Sequence, residues 1–176
     1  MDTACTELLR EYFRQDVPEK DIHSLLNDKA TKKKIKKRLN GDQKAILYPK
    51  SGDFNGTYNE FDIGLLYILI RNWRGFPNHK NGWGETPDNE DNSASAHIER
   101  IRLLRNKYTH PTPALKQLND IDFEDVMKTL IFWIQGIEKT LSGKNTTFQD
   151  AAQTLLYKAK NHEKCKGISF IFSIIF

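Results

Sequence analysis

Three residues at the end of one amphipathic stretch have the types and spacing to act on a phosphodiester: Arg105, Asn106 and His110. Cleavage of a phosphodiester by a neighbouring hydroxyl needs a base for that hydroxyl, a cation for the pentavalent phosphate and an acid for the leaving oxygen. A histidine titrates near pH ~6.5 and suits proton transfer, worth roughly 10²–10⁴ in rate. Arg105 offers a planar, permanently charged fork for phosphate oxygens. Asn106 can orient the histidine or donate to phosphate. This chemistry needs no metal ligand set or cofactor, and the sequence displays neither. The competing reading is structural: a solvated arginine, an asparagine near a helix end and a surface histidine.

The element that must present these residues runs from Ile98 to His110 and stops at Pro111. Ile98, Ile101, Tyr108 and the Leu103-Leu104 pair recur at helical spacing and give it an apolar side. Asn106 and His110 are four apart and share a face, with Arg105 beside them. Proline removes a helix donor and biases the preceding residue away from helix, so His110 is expected at a helix end. Ser93 or Ser95 is the expected N-cap. Gly75 to Ser93 reads as a long loop, of a kind that is usually functional or disordered, with Trp83 between two glycines as an anchor or a packing residue.

Before that loop, Tyr58 to Trp73 is the most apolar segment of the body. Its length and lack of alternation predict a helix. Asp62 near its start is a candidate accessory acid; alternatively it complements the helix dipole. A helix is also expected from Glu19 towards Leu39, with Asn40-Gly41 as its stop. Inside it lies a run of six positive charges in seven residues, Lys32, Lys33, Lys34, Lys36, Lys37 and Arg38. These, with Arg102, are candidate RNA contacts; the run can also be a nuclear-import signal or a solvated helix face.

Leu8, Leu9, Tyr12 and Phe13 predict a first short helix ended by Pro18. After Pro111 a short helical piece is expected around Leu115 and Leu118. A strong helix capped by Asp122 follows, with Val126, Leu130, Ile131, Trp133, Ile134, Ile137 and Leu141 on its apolar side and Ser142-Gly143 at its end. Thr147 is the expected cap of a last helix to about Lys160, with Ala152, Leu155 and Leu156 inward. The final eleven residues, from Lys166 to Phe176, are apolar and differ from everything before. They are too short to span a bilayer and would be an aggregation hazard if exposed.

At 176 residues the chain suits one domain with a core. Its 38% hydrophobic and 28% charged residues fit a soluble globular protein. A net charge of +4 permits a nucleic-acid partner without demanding one. Cys5 and Cys165 lie far apart and form no disulfide framework or zinc spacing, so an intracellular setting is expected, in the cytoplasm or the nucleus. The first fourteen residues carry charges throughout and do not read as a secretory signal. Helical segments without strand pairs or hairpin turns predict an all-α fold, a bundle of four or more helices with one long loop.

The stretch Arg105-Asn106-Lys107-Tyr108-Thr109-His110 resembles the Arg-x(4–6)-His signature of HEPN domains. The helix from Phe61 to Asn72, the Gly82-Trp83-Gly84 loop and the stretch Ile98 to Asn106 together resemble the HEPN domain of animal DAZ-interacting zinc-finger-type ubiquitin ligases. The resemblance covers roughly Leu25 to Leu141. It implies a helical bundle that often pairs about a two-fold axis. Active HEPN members are metal-independent endoribonucleases that bring Arg and His of both copies into one cleft; others have lost activity and bind RNA or protein. On this basis residues 21–161 are the expected HEPN-like domain, with an N-terminal extension at 1–20 and an apolar tail at 162–176. No RING-type Cys/His spacing, P-loop or B-box pattern accompanies it, so the chain is expected to be a stand-alone domain or a fragment. Two functions follow: an RNA-cleaving homodimer with Arg105, Asn106 and His110 as catalytic residues, or a non-catalytic RNA-binding or protein-interaction module.

Overall fold

A computed structural model of the protein describes residues 4–50, 52–109, 120–141 and 147–161. Among these the structure is all-α: eight helices, two short 3₁₀ turns and no strand. The helices are α1 (Ala4–Arg14), α2 (Ile22–Asn27), α3 (Lys29–Lys36), α4 (Gly41–Leu47), α5 (Ile63–Asn72), α6 (Ala94–Thr109), α7 (Asp120–Glu138) and α8 (Thr147–Asn161). They divide between two compact units. One takes in the described residues of Leu9–Pro77; the other takes in those of Met1–Leu8 and Asn78–Phe176.

The Leu9–Pro77 unit is built on aromatic packing. Phe13 lies 5.9 Å from Tyr58, 5.6 Å from Trp73 and 5.8 Å from Phe76, ring centre to ring centre. Arg10 is 1% exposed, and its Nη2 donates to the carbonyls of Asn59 at 2.8 Å and Phe61 at 3.0 Å. These carbonyls lie outside α5 and its hydrogen-bond ladder, so the arginine fills a need the backbone cannot meet itself. Asp62 accepts from the Leu65 N–H at 2.6 Å and caps α5, whose Leu65, Leu66, Leu69 and Ile70 are fully buried.

The helix expected from Glu19 to Leu39 is two helices with a break. Asp28 leaves helical geometry, with ψ at 133°, and its carboxylate accepts from the N–H groups of Ala30 and Thr31 to start α3. Asn40, expected to close that helix, instead opens α4. It forms a reciprocal capping box with Gln43, whose side chain returns to the Asn40 N–H. The Tyr58–Trp73 segment is likewise a 3₁₀ turn, Tyr58–Glu60, followed by the shorter α5.

In the second unit α6 packs on α7, and α7 on α8. Ser93 caps α6, accepting from the Ala96 N–H at 3.3 Å. Ile98, Ile101 and Tyr108 are buried; Leu103 and Leu104 are half-buried. α7 buries Phe123, Met127, Leu130, Ile131, Ile134 and Ile137. It begins at Asp120, so Asp122 lies inside it, and it ends at Glu138, short of the expected Ser142-Gly143 stop. The close approach of α7 to α6 depends on Gly136: a Cβ there would come within 2.2 Å of the His97 ring. α8 takes its cap from α7, since the Glu138 carboxylate accepts from the N–H groups of Phe148 at 2.7 Å and Gln149 at 3.1 Å. Burial pushes the Glu138 carboxyl above its ordinary range. The expected helical piece near Leu115 and Leu118, the inward Leu155 side chain and the apolar tail lie outside the described residues. No described helix is long and apolar enough to cross a membrane.

Candidate functional site

The end of α6 carries the residues singled out for phosphodiester chemistry. Arg105 is half-buried and Asn106 exposed, on consecutive positions just before the helix reaches Thr109. His110 and Pro111 lie outside the described residues. Tyr108 is 1% exposed and anchors this last turn in the core, with the Lys107 ammonium 5.6 Å from its ring centre.

One turn before Arg105, Arg102 is engaged within the protein. Its Nε donates to Glu99 Oε1 at 2.6 Å, and a second guanidinium nitrogen lies 2.5 Å from the same oxygen. Glu99 is 0% exposed, and its other oxygen accepts from the Gly84 N–H at 3.0 Å. The carboxylate therefore joins α6 to the Gly82-Trp83-Gly84 loop. The residue was not foreseen, because an acid on a helical stretch reads as solvated until the loop is seen to cover it.

That loop is held by its own polar groups. Gly82 and Gly84 have φ of 81° and 97°, conformations that favour glycine. Trp83 is half-buried, and His79 stands edge-on to its ring at 6.1 Å. Asp91 accepts from the N–H groups of Lys80 at 2.8 Å and Ser93 at 2.9 Å. Those hydrogen bonds, that from Lys80 foremost, hold the Asp91 carboxyl down at about 2. Lys80 also pairs with Asp88 at 3.0 Å, and Arg100 donates to the Asp88 carbonyl at 2.6 Å. Arg100 further meets His97 Nδ1 at 3.1 Å, and burial pushes His97 down to about 4. His97 is thus a neutral packing residue on α6.

The other candidates lie in the Leu9–Pro77 unit. Asp62 is occupied as the cap of α5. In the basic run, Lys32 is spent on Asp53 at 2.9 Å and lies over the Tyr48 ring at 5.1 Å. Lys34 donates to the Asn72 carbonyl at the end of α5. Lys33, Lys36, Lys37 and Arg38 are exposed, and only Ile35 of α3 is buried.

One family model, DZIP3/hRUL138-like HEPN, matches residues 19–163, and the all-α fold agrees with it. The chain belongs to this HEPN family. No curated protein and no solved structure matches it. The matched span of this HEPN domain contains α2 to α8, Arg105, Asn106 and His110.

Proposed function

We propose that this HEPN domain is a metal-independent endoribonuclease that works as a homodimer through Arg105, Asn106 and His110. The observation that carries the reading is the end of α6: a half-buried Arg105 beside an exposed Asn106, four residues before His110 in a HEPN chain. In the reaction the 2′-oxygen attacks phosphorus, its bond to phosphorus forms, and the bond from phosphorus to the 5′-oxygen breaks. One His110 takes the 2′-hydroxyl proton, and His110 of the second copy gives a proton to the departing 5′-oxygen. Arg105 holds the non-bridging oxygens as charge develops on them. A two-fold pair supplies both histidines from one sequence position. The working domain in this reading is residues 21–161, flanked by the 1–20 extension and the 162–176 tail, and the cysteine usage of the whole sequence suits a reducing compartment, cytoplasm or nucleus.

The second reading, a non-catalytic RNA- or protein-binding module, is favoured by two exposed aromatic side chains: Phe132 of α7 is 51% exposed and Tyr157 of α8 is 71% exposed. Single-stranded RNA incubated with the protein in excess chelator separates the two. The nuclease leaves 2′,3′-cyclic phosphate ends and spares any linkage whose 2′-hydroxyl is replaced by hydrogen. RNA that stays intact while still bound, or while a protein partner binds, supports the module.

A further inference from the structure

The basic run of α3 and of the turn after it forms one wall of a groove that the sequence did not reveal. A cleft of about 540 Å³ runs between α3 and the end of α5, its lining including Asp28, Thr31, Lys34, Asn72, Trp73 and Arg74. A second depression of about 520 Å³ shares Ala30 and Lys34 with it and continues past Lys33, Lys37 and Arg38. The two depressions adjoin at Ala30 and Lys34, and we treat them together as one basic channel.

Charge along this channel is unevenly spread. Five cations line it: Lys33, Lys34, Lys37, Arg38 and Arg74. The one acid, Asp28, has its carboxylate turned to the first N–H groups of α3, at 3.0 and 2.9 Å. Lys34 closes the end of α5 through the Asn72 carbonyl. Lys33, Lys37, Arg38 and Arg74 form no ion pair with a described carboxylate, unlike Lys32, which sits outside the channel on Asp53. The aromatic in the cleft is Trp73, half-buried, its ring fixed edge-on at 83° against Phe13.

We propose that this channel binds single-stranded nucleic acid, with phosphates along Lys33, Lys37 and Arg38, and a base stacked on Trp73 beside Arg74. Unpaired cations beside an aromatic floor are what a flexible polyanion with flat bases requires. A duplex keeps its bases stacked inside and cannot present one to Trp73. An acidic peptide would use the cations and leave the ring idle. None of Arg105, Asn106 or His110 takes part, so the inference does not rest on the proposed cleavage.

The test uses the full chain and a labelled oligouridylate, with fluorescence anisotropy over a salt series. The single strand is expected to bind more tightly than a duplex of equal length. Lys33→Gln/Lys37→Gln/Arg38→Gln, which removes three phosphate contacts, should weaken binding and flatten the salt slope by about 2. Trp73→Leu should weaken it at least about fivefold. Because Trp73 also packs on Phe13, a second measurement protects the result should that variant fail to fold. Saturating oligouridylate should quench tryptophan emission in the wild type, and Trp73→Phe should lose that quench. An unchanged salt slope in the triple variant overturns the proposal. So does equal binding of duplex and single strand, or an unaltered quench in Trp73→Phe.

Discussion

Gly136→Ala should destabilise the protein, although the same change in most helix interiors stabilises. In an open site alanine gains about 1 kcal/mol over glycine through propensity. At Gly136 the added methyl would lie 2.2 Å from both Cδ2 and Nε2 of His97, where a carbon contact needs about 3.5–4.0 Å. One of the two must retreat by more than an ångström. His97 is poorly placed to do so: it is 1% exposed, its Nδ1 meets Arg100 at 3.1 Å, and its ring stands edge-on to Phe132 at 5.5 Å. Overpacking of this kind costs about 1–3 kcal/mol, and so severe an intrusion belongs at the upper end. After the propensity gain a net loss of about 1–2 kcal/mol is left, or roughly 2–8 °C in Tm for a chain of this size. The assay is thermal unfolding followed by circular dichroism, repeated in a His97→Ala background. There the methyl has room, and Gly136→Ala should become neutral or stabilising. A rise in Tm on Gly136→Ala in the wild-type background would mean that the helices do not meet through the His97 ring.

Other outcomes follow from the same unit. Glu99→Ala strips the partner from Arg102 and from the Gly84 N–H; since Arg102 keeps 24% exposure and can turn to water, the loss should be about 2–4 kcal/mol by denaturant unfolding, with Glu99→Gln between. Stability should also fall in mild acid. His97 titrates near its ordinary value of 6.5 when unfolded and at about 4 when folded, so its contribution is complete above 6.5 and is lost as pH drops towards 4. Between those values the slope approaches about 1.4 kcal/mol per pH unit. Arg100 and Lys139 add to the depression and Asp91 opposes it, so His97→Gln should flatten this part of the unfolding profile, read as denaturation midpoint against pH.

Much of the helical frame was legible in the sequence because it rests on local periodicity. The apolar residues of α5, α6 and α7 recur at helical spacing, and that pattern can be read without knowing what each helix packs on. What was missed depends on caps and on distant partners. The break at Asp28 hides in a stretch whose Leu25, Leu26 and Ile35 continue the helical period, although aspartate is a residue type that caps helix starts. Asn40-Gly41 looks like a stop, yet Gln43 three residues after Asn40 marks a capping box and hence a beginning. The Glu138 cap on α8, the Glu99 tether and the His97–Gly136 contact join residues on different elements, and no local pattern announces them. At the candidate site, the sequence picked out Arg105 and Asn106 through spacing. It could not tell that Arg102 is tied to Glu99, nor that Trp73 and Arg74 lie beside the basic run.

RNA cleavage at the end of α6 is the proposal on which the functional reading stands. Its most direct measurement is the rate at which labelled single-stranded RNA is cut in excess chelator by wild type, His110→Ala and Arg105→Ala, prepared identically and checked for helicity. The proposed chemistry predicts cleavage by the wild type, a loss of roughly 10²–10⁴ in rate on removing the proton-transfer group His110, and a comparable loss with Arg105→Ala. Equal cleavage by wild type and His110→Ala, or none by the folded wild-type protein, would contradict it.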